Sequence, residues 1–107
     1  MVEEIEPRDL ARLLQDREPS LLVVDVREEY EREVVCIEES IHIPMNEIPD
    51  RLHEIPSDRR VVLYCHHGGR SQMVAAYLET QGYTSVQNLT GGIDLWAQTV
   101  DRRLRRY

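Results

Sequence analysis

The side chains best suited to chemistry lie together in one short segment: Cys65, His66, His67, Gly68, Gly69, Arg70 and Ser71. This segment follows the apolar run 60–64 and precedes a stretch, 71–81, with apolar residues at helical spacing. At a helix start, backbone N–H groups without partners and the helix dipole favour negative charge. We therefore predict that the pKa of Cys65 is lowered and that its thiolate is a nucleophile. The alternative is that Cys65 is only a small buried apolar residue.

The residues after Cys65 favour the reactive interpretation. Gly68 and Gly69 permit positive φ, so that successive N–H groups can converge on one point. Arg70 adds a planar cationic fork for an oxyanion. Ser71 is expected to be a helix cap or an additional hydrogen-bond donor.

Two adjacent histidines raise the possibility of a metal site. Neighbouring residues rarely direct their side chains at one ion, and no Cys/His cluster here has zinc spacing. We therefore predict no metal and no cofactor. His66 and His67 are expected either to line the site and add positive potential when protonated, or to be exposed loop residues.

Strand-like and helix-like segments alternate along the chain, which indicates an α/β fold with a parallel sheet covered on both faces. Ligands bind such sheets beyond the carboxyl ends of the strands, where Asp25 and Cys65 lie. We expect strands at 3–7, 21–25, 40–44 (ended by Pro44), 60–64 and 85–89, helices at 7–15, 71–81 and 93–100, a short exposed helix near 27–34, and a helical turn or two between 49 and 56.

Length and composition predict one domain over residues 1–107. No apolar stretch approaches the roughly 20 residues of a membrane span, the start is acidic, and there are only two cysteines, so we expect a cytoplasmic protein. Residues 1–58 carry 17 acidic side chains and 6 arginines, whereas residues 59–107 carry 3 acidic side chains and 7 arginines. The acidic balance argues against nucleic-acid binding. The basic C-terminal tail, 102–107, is expected to be solvated.

Several motifs in order resemble the rhodanese family of sulfurtransferases. These are DVREEYE at 25–31, SIHIP at 40–44, CHHGGRS at 65–71 and GGIDLW at 91–96. The resemblance covers roughly residues 3 to 100 and implies a rhodanese-like fold, with a central parallel sheet of about five strands and helices on both faces.

The resemblance also implies roles for individual residues. Cys65 matches the family's catalytic cysteine, and the active-site loop maps onto residues 65–70. Arg27 resembles an arginine that lines the family's substrate pocket. Asp25 is expected to help hold the loop or to cap the strand end, and Glu31 to be structural. Gly91, Gly92 and Trp96 are expected to support the fold through a tight turn and a core aromatic.

One stretch departs from the family pattern. Where relatives usually have Gly-His-Ile-x-Gly-Ala, this chain has VCIEES at 35–40, with Val35 and Glu39 in the glycine positions. We therefore expect a differently shaped loop, because a β-branched valine tolerates positive φ poorly. Cys36, in the histidine position, is either a packing residue or a resolving thiol for Cys65.

The resemblance implies transfer of sulfur from thiosulfate or a similar donor to cyanide, a thiol or a protein cysteine, through a persulfide on Cys65. Two alternatives stay open: a persulfide carrier in a sulfur relay, and a phosphatase or arsenate reductase of related fold. The related phosphatases have five residues between cysteine and arginine, whereas four separate Cys65 from Arg70. The shorter loop favours sulfur over phosphate.

Overall fold

The computed structural model describes residues 2–107 and places five strands and four helices in alternation. No helix in this range has the length and apolar character needed to cross a bilayer. The strands are β1 (Glu3–Ile5), β2 (Leu21–Asp25), β3 (Ser40–His42), β4 (Arg60–Tyr64) and β5 (Val86–Leu89). The helices are α1 (Pro7–Gln15), α2 (Glu29–Val34), α3 (Gly69–Thr80) and α4 (Gly92–Thr99), with 3₁₀ turns at Met45–Glu47 and Pro49–Glu54.

The strands form one parallel sheet in the order β1-β5-β4-β2-β3. The predicted parallel α/β architecture is therefore confirmed. Strands β2 and β4 are neighbours near the middle of the sheet, with Asp25 beside Tyr64 at their carboxyl ends. This register brings the residues that follow both strands to the same edge, where the CHHGGRS loop begins.

Successive residues of β4 face opposite sides of the sheet, as strand geometry requires. Val61 and Leu63 belong to an apolar cluster that includes Val74, Ala75 and Leu78 of α3. On the other face, Val62 and Tyr64 join a second cluster that includes Leu10 of α1 and Ile93 and Trp96 of α4. Helices thus cover both faces, and burial of apolar surface on each is the main stabilising contribution. Trp96 packs in the core, as expected.

Helix α3 begins two residues earlier than predicted, at Gly69 rather than Ser71. The N-cap is Gly68, with φ of 114°, and no side chain caps it. The sequence favoured Ser71 as the boundary because serine is a good N-cap. In the structure the Ser71 hydroxyl turns inward toward the sulfur and is not used as a cap.

The start of α4 packs directly against the CHHGGRS loop. Ile93 N–H donates to the Cys65 carbonyl at 2.9 Å, and Asp94 N–H donates to the His66 carbonyl at 3.1 Å. Gly92 directly precedes Ile93 and has φ of 61°, and a Cβ there would be 2.6 Å from the Cys65 carbonyl oxygen and would also contact that of His66. Gly92 therefore allows α4 to hold the loop carbonyls, which is a more specific role than the expected tight turn.

We predict that Gly92→Ala lowers the free energy of unfolding by at least about 2 kcal/mol, because it combines left-handed strain with a backbone clash. Gly69→Ala is the matched control, since its Cβ would meet no atom within 4 Å and it lies inside a helix. That change should stay within about 1 kcal/mol of the wild type. Urea denaturation measures both, and equal effects would contradict the assigned role of Gly92.

Candidate active site

Cys65 leaves β4 at the carboxyl edge of the sheet and is only 1% exposed. Its Sγ accepts hydrogen bonds from the backbone N–H of Gly68 at 3.1 Å and of Ser71 at 3.5 Å. The Ser71 hydroxyl lies 3.4 Å from the same sulfur. The loop therefore wraps donors around one atom, in the arrangement that the paired glycines predicted.

Two opposing effects determine the pKa of Cys65. Burial is the larger single effect and would raise the pKa by penalising the thiolate. Hydrogen bonds from the Ser71 hydroxyl and from the backbone N–H groups of Ser71, Gly68 and Arg70 lower it, and together they prevail. The pKa of Cys65 lies below its ordinary value, so that the site favours a negative sulfur, as predicted.

Asn88 supports the loop from β5, and sequence reasoning missed it. Its side chain is 3% exposed. The amide nitrogen donates to the Gly68 carbonyl at 3.1 Å and to Glu4 at 3.0 Å, and the amide oxygen accepts from the Ser71 hydroxyl at 2.5 Å. The Ser71 hydroxyl has one proton and cannot donate to Asn88 and to the Cys65 sulfur at the same time. A thiolate at Cys65 would favour donation to the sulfur. An asparagine between the apolar residues of a strand inside the sheet, beside Leu89, was the available signal.

Arg70 forms a bidentate ion pair with Glu31, with N–O distances of 2.6 and 2.9 Å. Two of the five guanidinium N–H groups are used in this way, which leaves three for another ligand. The hydrogen bond from Arg70 is the main reason that the pKa of Glu31 falls to about 2. Glu31 is structural, as expected, but it is also the direct partner of the loop arginine.

Arg27 is fully buried, and all five of its N–H groups have acceptors. The acceptors are both carboxylate oxygens of Asp25, the carbonyls of Glu31 and Val35, and the phenol oxygen of Tyr107. In the arrangement seen, no N–H group of Arg27 is free for a substrate. Contact with substrate stays a prediction only for a state in which one acceptor has moved away.

Asp25 holds Arg27, and we find no direct contact from its carboxylate to the CHHGGRS loop among the described residues. Its carboxylate accepts from the Arg27 backbone N–H at 3.0 Å and from the guanidinium at 2.9 and 2.8 Å. Arg32 also contacts it at 3.3 Å. The expected loop support is therefore indirect, because a buried carboxylate requires a buried cation, and here that cation is Arg27.

The two histidines differ in surroundings. Burial, followed by repulsion from His67, lowers the pKa of His66, so that His66 is mainly neutral near neutral pH and adds no positive potential there. If His66 lines the site and adds positive potential on protonation, that gain therefore requires a lower pH than for an ordinary imidazole. His67 is exposed, and its Nε2 lies 3.7 Å from Asp94.

His66, His67 and Asp94 each offer a ligand atom within 4.8 Å of the others. The two imidazoles are stacked, with centroids 4.0 Å apart and an angle of 27° between the rings. Imidazole binds a metal in the plane of its ring, and nearly parallel planes do not direct two nitrogens at one ion. Asp94 is also paired with Arg106 at 2.9 Å. The cluster is therefore poorly arranged for a metal.

The arginine-rich segment is only partly as expected. The side chains of Arg102, Arg103, Arg105 and Arg106 are exposed. Tyr107 is also 41% exposed, but it contacts the site: its hydroxyl donates to Glu31 at 2.7 Å and accepts from Arg27 at 2.8 Å. The ring stacks on His66 with centroids 3.9 Å apart. A purely solvated tail is therefore wrong for Tyr107, and no sequence motif indicated this contact.

Cys36 is half-buried, and both cysteines are free thiols. The N–H of the next residue, Ile37, donates to the Tyr64 hydroxyl at 3.1 Å, which fixes this stretch against β4. Val35 has extended backbone geometry, with φ of −166°. The loop is therefore built without the positive φ that glycines would permit. A resolving role for Cys36 stays a prediction.

Comparison with known proteins gives the family of the chain. The model of the rhodanese-like domain family matches residues 6–99. The chain belongs to this family. A protein named sulfurtransferase from Allochromatium vinosum is 46% identical over 98 residues, covering 92% of this chain and 91% of that protein. The thiosulfate sulfurtransferase GlpE of Pseudomonas syringae is 39% identical, covering 78% of each.

A solved structure gives the same result for the fold. The crystal structure of a rhodanese-like domain protein from Staphylococcus aureus superposes with a TM-score of 0.85 at 30% identity, covering 99% of each chain. The five-stranded parallel sheet with helices on both faces is thus the rhodanese-like fold, as the ordered motifs predicted.

The Glu31–Arg70 pair predicts a pH dependence of stability. The pKa of Glu31 is about 2 in the folded protein, against an ordinary value of 4.5. The pair therefore stabilises the fold above the ordinary pKa, and that contribution is lost as pH falls toward about 2. Glu31→Gln should be less stable than the wild type near neutral pH, and the difference should shrink in acid.

Urea denaturation at neutral pH and near pH 3, roughly between the two pKa values, measures this difference. Glu33→Gln is the matched control, because Glu33 lies on the same helix with an exposed side chain. Its effect should be small at both pH values. If Glu31→Gln lowers the free energy of unfolding by the same amount at both pH values, the Glu31–Arg70 pairing is contradicted.

Proposed function

We propose that this rhodanese-like protein transfers a sulfane sulfur from thiosulfate or a similar donor to a thiophilic acceptor, with Cys65 as the covalent carrier. The observation that carries the proposal is the convergence of loop N–H groups on the buried Cys65 sulfur. These donors stabilise a negative sulfur at a fixed position, which is what both the attacking thiolate and the persulfide product require.

In the first half-reaction the Cys65 thiolate attacks the outer sulfur of thiosulfate. A new sulfur–sulfur bond forms to Cys65, the bond within thiosulfate breaks, and sulfite leaves with its electron pair. The enzyme now holds a persulfide whose outer sulfur carries the negative charge that the thiolate had. No proton, metal or redox partner is needed to balance this step.

Arg70 is the residue that we propose to bind the donor. Glu31 fixes its guanidinium through two N–H groups, and three others remain for the oxygens of the sulfonate end. Fixing one edge of the guanidinium lowers the entropy lost when the other donors bind an oxyanion. His67, Gly68, Gly69 and Ser71 remain predicted contacts at the rim and floor of the same loop.

In the second half-reaction a nucleophile takes the outer sulfur and returns Cys65 to the thiolate. Cyanide serves in an assay, and a thiol or a protein cysteine is the proposed natural acceptor. Because sulfite leaves before the acceptor reacts, ping-pong kinetics are expected. Free thiols at both cysteines fit a reducing, cytoplasmic setting, which forms part of the proposal.

Two other functions make different predictions. A persulfide carrier would accept sulfur from another protein's persulfide but load slowly from thiosulfate. A phosphatase or arsenate reductase would need a wider loop than the four residues between Cys65 and Arg70. We therefore favour sulfur transfer and use thiosulfate as the first donor to test.

The first test follows the mass of the intact protein. After incubation with thiosulfate and removal of small molecules, the wild type should gain one sulfur atom and lose it on addition of cyanide. Cys65→Ser should gain none, and the control Cys36→Ser should behave like the wild type. A wild type that gains no sulfur but hydrolyses a phosphate ester would contradict the proposal.

The same measurement separates the two half-reactions at Arg70. Arg70→Lys keeps a cation beside Glu31 but loses the planar fork, and Arg70→Ala loses both. Loading from thiosulfate should fall about 10- to 100-fold in the alanine variant, whereas discharge of a preformed persulfide to cyanide should change less than about threefold. Equal losses in both steps would show that Arg70 only shapes the loop.

A further inference from the structure

The segment 101–107 folds back along α4 and ends over the site. It is fixed at successive points: the Arg102 guanidinium donates to the Gln98 carbonyl at 3.2 Å, and Leu104 packs against the apolar cluster of α1 and α4. Arg106 pairs with Asp94 at 2.9 and 3.2 Å, and Asp94 is the residue whose N–H holds the His66 carbonyl. These contacts direct the chain back to the CHHGGRS loop.

Tyr107 is the last residue of this segment and connects Arg27 to the Glu31–Arg70 pair. Its hydroxyl accepts from Arg27 at 2.8 Å and donates to Glu31 at 2.7 Å, and Glu31 in turn holds Arg70. Its ring lies parallel to His66, with a 6° angle between the two planes. The phenol therefore accepts a hydrogen bond from the remaining N–H group of Arg27. It also donates to one oxygen of the Glu31 carboxylate, which holds Arg70.

The phenol occupies an N–H group of Arg27 that a donor oxyanion would need. Burial is the first reason that the pKa of Tyr107 is raised, to about 12, so the hydroxyl is neutral at ordinary pH. A neutral hydroxyl can accept from Arg27 and donate to Glu31 at once, whereas an oxyanion can only accept. An anionic donor that reaches Arg27 must therefore displace the phenol.

Two observations fit a second arrangement of the site that is more open than the one seen. Cys65 is 1% exposed, although any nucleophilic role requires access to its sulfur. The Nε2 of His66, the ring on which Tyr107 stacks, is buried and has no hydrogen-bond partner among residues 2–107. An unsatisfied buried nitrogen disfavours the arrangement seen.

We propose that Tyr107 is a specificity-determining residue of the sulfur-transfer site, whose phenol competes with the donor oxyanion for Arg27 and must move away, with segment 101–107, before an anionic donor reaches Cys65. This inference rests on the proposed sulfur transfer for the identity of the donor. The covering of Cys65 by Tyr107 can be tested without that assumption.

The test uses two reagents that alkylate Cys65, neutral iodoacetamide and anionic iodoacetate, in a Cys36→Ser background that leaves one thiol. Tyr107→Ala should react faster than the parent with both, by about three- to tenfold, and the gain should be larger for iodoacetate. Tyr107→Phe keeps the ring on His66 but loses both hydrogen bonds. Its alkylation rate should lie between those of the parent and of Tyr107→Ala. Loading from thiosulfate should follow the iodoacetate series.

Arg103→Ala is the control within the same segment, because the Arg103 side chain is 91% exposed and pairs only locally with Asp101. It should react at the parental rate. Unchanged alkylation in both Tyr107 variants would overturn the inference, as would slower loading in Tyr107→Ala. If alkylation follows the predicted order but no variant takes sulfur from thiosulfate, the covering role stands and the proposed donor is wrong.

Discussion

The loop between β4 and α3 has to turn several backbone N–H groups toward one sulfur atom, and this requirement organises its surroundings. A peptide that directs its N–H inward directs its carbonyl outward, and those carbonyls need partners. The first N–H groups of α4 supply them for Cys65 and His66, and Asn88 does so for Gly68. Gly92 matters because only a residue without Cβ lets α4 approach this closely.

A second organising feature is a chain of alternating charges at the carboxyl edge of the sheet. Arg70 pairs with Glu31, the phenol of Tyr107 connects Glu31 to Arg27, and Arg27 pairs with Asp25. Most of these groups are buried, where an unpaired charge would be costly. Each guanidinium is consequently held by a carboxylate, and what remains free for a ligand is a subset of the N–H groups of Arg70.

Local sequence patterns predicted the elements and the nucleophile well. The apolar runs of β2 and β4 and the spacing in α1 fixed their positions, because burial on both faces and helical periodicity are local properties. The Cys-to-Arg loop predicted the cradle around Cys65, since glycines and a helix start determine it within a few residues. The family motifs then implied a central parallel sheet of about five strands, and the order of those strands came from the structure.

The partners of the site residues could not be predicted in the same way, because they are set by contacts distant in sequence. Arg27 carries the same charge whether it faces solvent or Asp25, and only the folded chain shows that all its N–H groups are used. Asn88 and Tyr107 reach the loop from 20 and more residues away, through tertiary packing that no local pattern encodes. The sequence also left the surroundings of His66 open, and only the folded chain shows that burial disfavours its protonated form.

The central claim is that the folded loop holds Cys65 as a thiolate against the cost of burying it. The most direct measurement is the pKa of Cys65, taken from the pH dependence of thiolate ultraviolet absorbance in a Cys36→Ser protein, first folded and then unfolded in urea. The account predicts a lower pKa in the folded protein than in the unfolded chain. A folded value equal to or above the unfolded one would contradict it, because burial would then outweigh the hydrogen bonds of the loop.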